Sequence, residues 1–189
     1  EGERLGACTD CRRFWAKFRA AEIDKAGIEK IESRLVTTSG TCAVMGTAST
    51  MACITETLGM ALPGTAAIPA IHADRLRAAE ASGAQAVHLA QIDRDKQLTP
   101  KKIITPASVE NALRILLAVG GSTNAIIHLT AIAGRLGIPI PLQQLNKLSD
   151  ETPVLIDLKP TGDHYMEDLF KAGGLGVVLR ELKPLLNLD

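Results

Sequence analysis

The sequence is short of aromatic residues: one Trp, one Tyr and three Phe make 3% of its 189 residues. A core with so few rings must be built from Leu, Ile, Val and Ala, packed closely around many backbone turns, and the 16 glycines fit that picture. Charge of one sign is also lacking, since 21 Lys and Arg balance 21 Asp and Glu. A dedicated nucleic-acid binder would carry a basic excess, so that class is set aside. No apolar run approaches membrane length; Ile115 to Val119 and Ala125 to Ile127 are far too short to span a bilayer. The first residues, from Glu1, do not read as a signal peptide. Four cysteines in a chain of this size make no disulfide scaffold, and a reducing, cytoplasmic setting is expected. What is present is 46% hydrophobic and 22% charged residues, enough apolar surface to offset chain entropy and exclude disorder. The length suits one domain or part of a larger one.

The pattern is helical nearly throughout. Arg12 to Glu32 reads as one or two helices with a mixed-charge, solvated face. The hydroxyls of Thr47 and Ser49 open a helix that runs to Leu58 and stops at Gly59. A second runs from about Pro69 to Ile92, with Ile71, Leu76, Ala79, Ala86, Val87 and Ala90 near one side. Asp93 to Pro100 is a polar connection. Pro106 is an N1 proline for a helix over 107–119. Ser122 and Thr123 cap the next, which ends at Leu136-Gly137. Leu142 to Leu148 is a short helix, Pro153 to Leu158 an apolar, buried strand, and Met166 to Ala172 a helix ending at Gly173-Gly174. Leu175 to Leu188 reads as strand or helix. A complete parallel sheet would need more strands than this.

Two segments place glycine and hydroxyl residues just before a helix: Gly40-Thr41-Cys42 through Gly46-Thr47, and Gly120-Gly121-Ser122-Thr123-Asn124. Glycine lets backbone approach a ligand, and the N–H groups of a helix start favour carboxylate or phosphate. Ordinary helix capping explains the same residues without a ligand, and neither loop is a P-loop or a dinucleotide fingerprint. Cys42 sits among small residues near a helix start, a setting that suits a thiolate ligand as well as a small buried hydrophobe. Cys53 falls on the apolar side of its helix. Cys8-Thr-Asp-Cys11 lacks a second ligand pair at zinc spacing. His128 and His164 have the chemistry of acid, base or ligand, though a lone His on a helix is more often structural.

Three blocks resemble a known family. Ser39-Gly-Thr-Cys42-Ala-Val-Met-Gly-Thr-Ala-Ser-Thr-Met51 with Glu56-Thr-Leu-Gly-Met-Ala-Leu-Pro-Gly64 is similar to the third-cysteine segment of the dihydroxy-acid and 6-phosphogluconate dehydratases. Glu110-Asn-Ala, then Gly120-Gly-Ser-Thr-Asn124 and His128-Leu129, resembles the second signature, and Asp163-His-Tyr-Met-Glu-Asp168 with Ala172-Gly-Gly174 a third. The resemblance implies an α/β fold class, the chain being a helix-rich fragment of the family's layered N-terminal, cluster-binding domain over residues 1–189, without the C-terminal domain. It implies an iron–sulfur hydro-lyase that converts a 2,3-dihydroxy acid into a 2-keto acid. The cluster, of the 2Fe-2S type, binds the departing hydroxyl, and Mg2+ holds the substrate carboxylate. Residue by residue, Cys42 becomes the third cluster ligand, with Thr47, Ser122, Thr123 and Asn124 as candidate substrate contacts.

The family's Cys-Asp-Lys segment, its earlier cluster cysteine and its Thr-Asp-Gly-Arg signature do not occur. The expectation is a piece inactive by itself, whose intact parent is a cytoplasmic homo-oligomer acting on a small hydroxy acid. Gly46 stands where the branched-chain enzyme prefers an aromatic residue, wording more similar to sugar-acid (aldonate) dehydratases. The competing expectation is a non-catalytic helical module that binds a small molecule or metal.

Overall fold

The computed structural model describes residues 4–36, 40, 42–94 and 96–188, with the Cys8 side chain left out. Ten α-helices and one 3-10 turn occur among them, and no paired strand. The helix-rich piece expected from the sequence is what forms. None of these helices is long and apolar enough to cross a membrane.

The chain opens with α1 (Ala7–Arg19) and α2 (Lys25–Leu35), which pair through a turn in which Ala21 takes φ 57°. Asp24 caps α2 by accepting the Gly27 N–H at 2.7 Å. The centre is built from α3 (Thr47–Thr57) and α6 (Pro106–Ala118). Thr105 and Ser108 bond reciprocally at the start of α6, with Pro106 in the first turn where its missing N–H costs nothing. Val109, Ala112, Leu113, Ile115, Leu116 and Ala118 are all buried, so α6 is covered on more than one face.

Two apolar clusters flank it. One joins Ile54 and Leu58 of α3 to α6 and to Ala125, Leu129 and Ala133 of α7 (Asn124–Arg135), with Leu148 of α8 (Leu142–Glu151). The other gathers Met45, Cys53, Ile115 and Val119 with Leu158, Met166 and Leu169 of α9 (Met166–Lys171) and Leu175, Val178 and Leu182 of α10 (Leu175–Leu182). No aromatic ring sits among the buried residues of either cluster. Arg114 is buried too, and its guanidinium is met by Glu110 at 3.3 Å, Glu151 at 3.1 Å and Thr152 at 3.4 Å.

Three sequence expectations change. The long helix forms as α4 (Ala73–Gln91), capped by His72 Nδ1, which accepts the Asp74 N–H at 3.1 Å. None of its residues is buried, and Leu76 and Val87 stay 77% and 58% exposed. Alanine-rich propensity and the cap sustain it rather than packing. The polar connection after it contains a short turn of helix, α5 (Pro100–Ile103). Pro153 to Leu158 is not a buried strand: no strand pairs with it, Val154 is 70% and Leu155 41% exposed, and only an isolated parallel bridge joins Leu158 to His164. The tail, left open between strand and helix, is α10 followed by a 3-10 turn at Lys183–Leu185.

Glu56, buried on α3, holds the following turn by accepting the N–H groups of Gly64 and Ala66, each at 2.7 Å. Glu56→Ala leaves both donors without that acceptor and is expected to cost about 2–4 kcal/mol, with Glu56→Gln losing less. Urea unfolding of the three proteins measures it.

Candidate functional site

The site grows from the loop 42–46, which is locked on both sides. The Met45 N–H donates to the Lys159 carbonyl and the Met166 N–H to the Ala43 carbonyl, each at 2.8 Å. Ser49 Oγ donates to the Val44 carbonyl at 2.9 Å and, at 3.4 Å, to that of Cys42. The loop delivers the chain into α3, whose first turn carries no side-chain cap.

There the first turn of α3 meets the first turn of α7. Thr47 Oγ1 and Ser122 Oγ are 3.0 Å apart, and Asn124 Nδ2 donates to Thr47 Oγ1 at 3.0 Å. Behind them Thr50, fully buried, donates through Oγ1 to the Gly46 carbonyl at 2.8 Å and accepts the Ser122 N–H at 3.0 Å. Gly120 supplies the left-handed turn, φ 57°, that ends α6. A Cβ on Gly121 would lie 2.6 Å from Thr50 Cγ2 and 3.0 Å from the Leu116 carbonyl oxygen, so only glycine fits this approach. The result is a polar cradle at two helix N-termini, where partial positive charge favours a carboxylate or phosphate.

Of the candidate residues, Thr47, Ser122 and Asn124 come together in one hydrogen-bonded network, with Thr47 and Ser122 half-buried and Asn124 exposed. Thr123 does not join it: it stands at the helix cap, exposed, without a side-chain cap bond. Ser122 does that work, accepting the Asn124 N–H at 3.3 Å. Cys42 is half-buried on the loop that leads into the cradle. Ser39 and Thr41 of that motif lie outside the described residues. Cys53 is fully buried, and burial with the Glu56 charge pushes its thiol up to about 12, which keeps it a core residue. His128 and His164 are exposed, and neither bonds to the cradle; His164 Nε2 lies 3.7 Å from Asp157.

Sequence reasoning missed a second polar knot on the other side of the loop. Tyr165, the single tyrosine, donates to the Arg4 carbonyl and accepts from Lys159 Nζ, each at 2.9 Å. Arg4 grips Asp168 with two bonds of 3.1 and 2.8 Å, and the Tyr165 N–H adds one of 2.9 Å. Buried Asp10 accepts the Gly6 N–H at 2.6 Å and stands 3.9 Å from Lys159 Nζ. The one available signal was the acid Asp168 three residues after Tyr165, placed to accept the N–H at the start of α9.

An iron–sulfur cluster or Mg2+ does not fit the described residues as a complete site. Among them no three His, Cys, Asp or Glu side chains gather to hold a metal ion. Cys42 offers one thiolate, and two irons need more.

Comparison with known proteins agrees with the motif blocks. A family model described as dihydroxy-acid/6-phosphogluconate dehydratase N-terminal matches residues 2–189. The chain is 40% identical over 183 residues to a dihydroxy-acid dehydratase of Thermodesulfovibrio yellowstonii, covering 97% of this chain and 32% of that protein. It is 41% identical over 179 residues to one of Methanospirillum hungatei, covering 95% of this chain and 32% of that protein. It is 46% identical over 150 residues to one of Dehalococcoides mccartyi, covering 79% of this chain and 26% of that protein. The chain thus spans about a third of the length of these curated relatives.

Two outcomes follow from the geometry. Thr50→Val strips the Ser122 N–H of its acceptor and is expected to cost about 1–3 kcal/mol in thermal unfolding, whereas Thr50→Ser keeps both bonds. The Arg4 guanidinium first, and the Tyr165 N–H second, hold the Asp168 carboxyl down from 3.8 to about 2. A carboxyl depressed in the folded state stabilises above its ordinary value and loses that contribution as pH falls through the folded one. Stability therefore drops between pH 3.8 and about 2, and Asp168→Asn flattens that part of the curve in an acid titration.

Proposed function

The chain belongs to the dihydroxy-acid/6-phosphogluconate dehydratase family, and from that membership we propose that it is the part of a hydro-lyase that closes around the anionic end of a 2,3-dihydroxy acid. The observation that carries the reading is the meeting of Thr47, Ser122 and Asn124 at two helix starts, beside the loop that bears Cys42. Thr47 and Asn124 supply hydrogen-bond donors to substrate oxygens, in a field that favours the carboxylate. Thr123 is peripheral. Cys42 contributes one thiolate to an iron–sulfur cluster of 2Fe-2S type, whose remaining ligands, with those of Mg2+, belong to other parts of a longer polypeptide; such a cluster supplies a Lewis acid for the leaving hydroxyl. Residues 1–189 form part of the N-terminal, cluster-binding domain of that polypeptide. The working protein is a soluble homo-oligomer.

The finer reading is a sugar-acid substrate. A Cβ at Gly46 would meet nothing nearer than Val44 Cγ2 at 3.9 Å, so the glycine leaves open space beside Thr47 for a longer polyol chain. A bulky side chain there would fill it.

The tests use two proteins: this chain alone, and a hybrid in which it replaces the matching third of the Thermodesulfovibrio yellowstonii dehydratase. After reconstitution with iron and sulfide, the chain alone is expected to form no 2-keto acid, and turnover by it refutes the incomplete-site reading. The hybrid is expected to turn over, to prefer a pentonate to 2,3-dihydroxyisovalerate, and to lose the visible absorption of the cluster on Cys42→Ser. Preference for the branched acid removes the sugar-acid reading, and unchanged absorption removes Cys42 as ligand.

A further inference from the structure

The pair of helices α1 and α2 takes no part in the two apolar clusters. Both clusters, with the side chains packed against them, draw on residues from Met45 onward. Among the described residues of 4–36, only Gly6, Asp10 and Ile28 are buried. The pair has a small core of its own instead. Trp15, the single tryptophan, meets Phe18 edge to face with ring centres 5.4 Å apart, and its Nε1–H donates to Glu32 of α2 at 2.9 Å. Attachment to the rest runs through the start of α1. The Arg4 guanidinium bonds to Asp168 and lies 4.5 Å over the Tyr165 ring. The Tyr165 hydroxyl donates to the Arg4 carbonyl, and Asp10 faces Lys159 at 3.9 Å. Beside this knot lies Val44 of the Cys42 loop, 3% exposed. Gly6 rests against it: a Cβ there would stand 3.3 Å from Val44 Cγ1 and 3.2 Å from Tyr165 Cε1. Thr9 Oγ1, 3.0 Å from that same point, is buried and bonds to no described residue.

We propose that α1 and α2 form a cover over the loop 42–46 that lifts off as one body while the core stays folded. Of the apolar side chains of 4–36 only Ile28 is buried, so hydrophobic burial does not hold the cover shut. The bonds that do are few, and the Arg4–Asp168 pair is partly in water, where screening weakens it. Thr9 works against closure, because its hydroxyl is shut away from water and gains no partner. The contacts of Trp15 with Phe18 and Glu32 lie within the pair and survive its lifting. A segment with its own contacts, held by a few partly solvated bonds, opens at a lower free energy than the core around α6. Lifting bares Val44, and with it one side of the loop that leads Cys42 to the cradle. The cover has this property whatever Cys42 binds.

Thiol labelling at position 44 tests it. In Val44→Cys, made together with Cys8→Ser and Cys11→Ser, a maleimide reads exposure of residue 44, and peptide mass mapping separates that site from Cys42 and Cys53. Cys53, at 0% exposure, reports unfolding of the core. Position 44 is expected to label well before Cys53. Tyr165→Phe, which removes both bonds of the hydroxyl, is expected to speed labelling at 44 roughly tenfold, and about 1 M NaCl roughly threefold, with Cys53 unchanged. Thr9→Val is expected to slow it, because no unpaired hydroxyl is then buried. Amides within α1 and α2 are expected to stay as protected in Tyr165→Phe as without it. Labelling of position 44 in step with Cys53 overturns the proposal, as does a rate that Tyr165→Phe leaves unchanged. Loss of amide protection in α1 and α2 together with faster labelling means that the pair melts instead of lifting, and overturns it equally. If Val44→Cys does not fold, acylation of Lys159, whose ammonium the closed knot holds, carries the test with the loop intact. It is expected to quicken in about 1 M NaCl and to slow in Thr9→Val, and no response to either overturns the cover.

Discussion

The hydroxyl of Thr50 is the interaction on which the rest depends. It lies fully buried between α3 and the loop that ends α6, donating to Gly46 and accepting from Ser122. Those two bonds set how deep the first turn of α3 sits against the first turn of α7. Gly121 makes the approach possible, because any side chain there would collide with Thr50 and with the Leu116 carbonyl. Thr47 and Asn124 touch only because this contact is already made. The cradle is therefore a consequence of core packing, and its precision comes from helices rather than from a loose loop.

The loop 42–46 spreads the same constraint. It bonds through its backbone to Lys159 and to Met166 of the third motif block, and through Thr50 it is tied to Ser122 of the second. Lys159 also reaches Tyr165, whose hydroxyl holds Arg4, whose guanidinium holds Asp168. The charged partners are exposed or half-buried, where screening by water limits what an ion pair contributes. Their use is positional: they fasten the start of α1 against the loop that carries Cys42.

Packing is uneven across the molecule. Around α6 it is dense, with Leu113, Ile115, Leu129 and Ala133 at 0% exposure. Along α4 and the 153–157 run it is open, with apolar side chains facing solvent. Both open stretches belong to a chain that spans about a third of the length of its relatives.

Local chemistry was readable from the sequence alone. Pro106 started α6, Gly59 and Gly137 ended α3 and α7, and the residues around Cys42, Gly120 and Asp163 carried the family. Each of these depends on neighbours within a few positions, where φ preference and capping decide. Partnership was not readable. The sequence showed an apolar run at 153–158 and an apolar side on the 73–91 helix, and burial was the natural reading of both. Whether an apolar face is buried depends on what packs against it: of the 153–158 run only Leu158 is buried, and of α4 no residue is. Thr50, Tyr165 and Lys159 were equally silent, since their partners lie across space at Ser122, Arg4 and Asp10. Only the tertiary structure brought 47, 122 and 124 into contact, because hydrogen bonds between helix starts are a matter of distance in space, not in sequence.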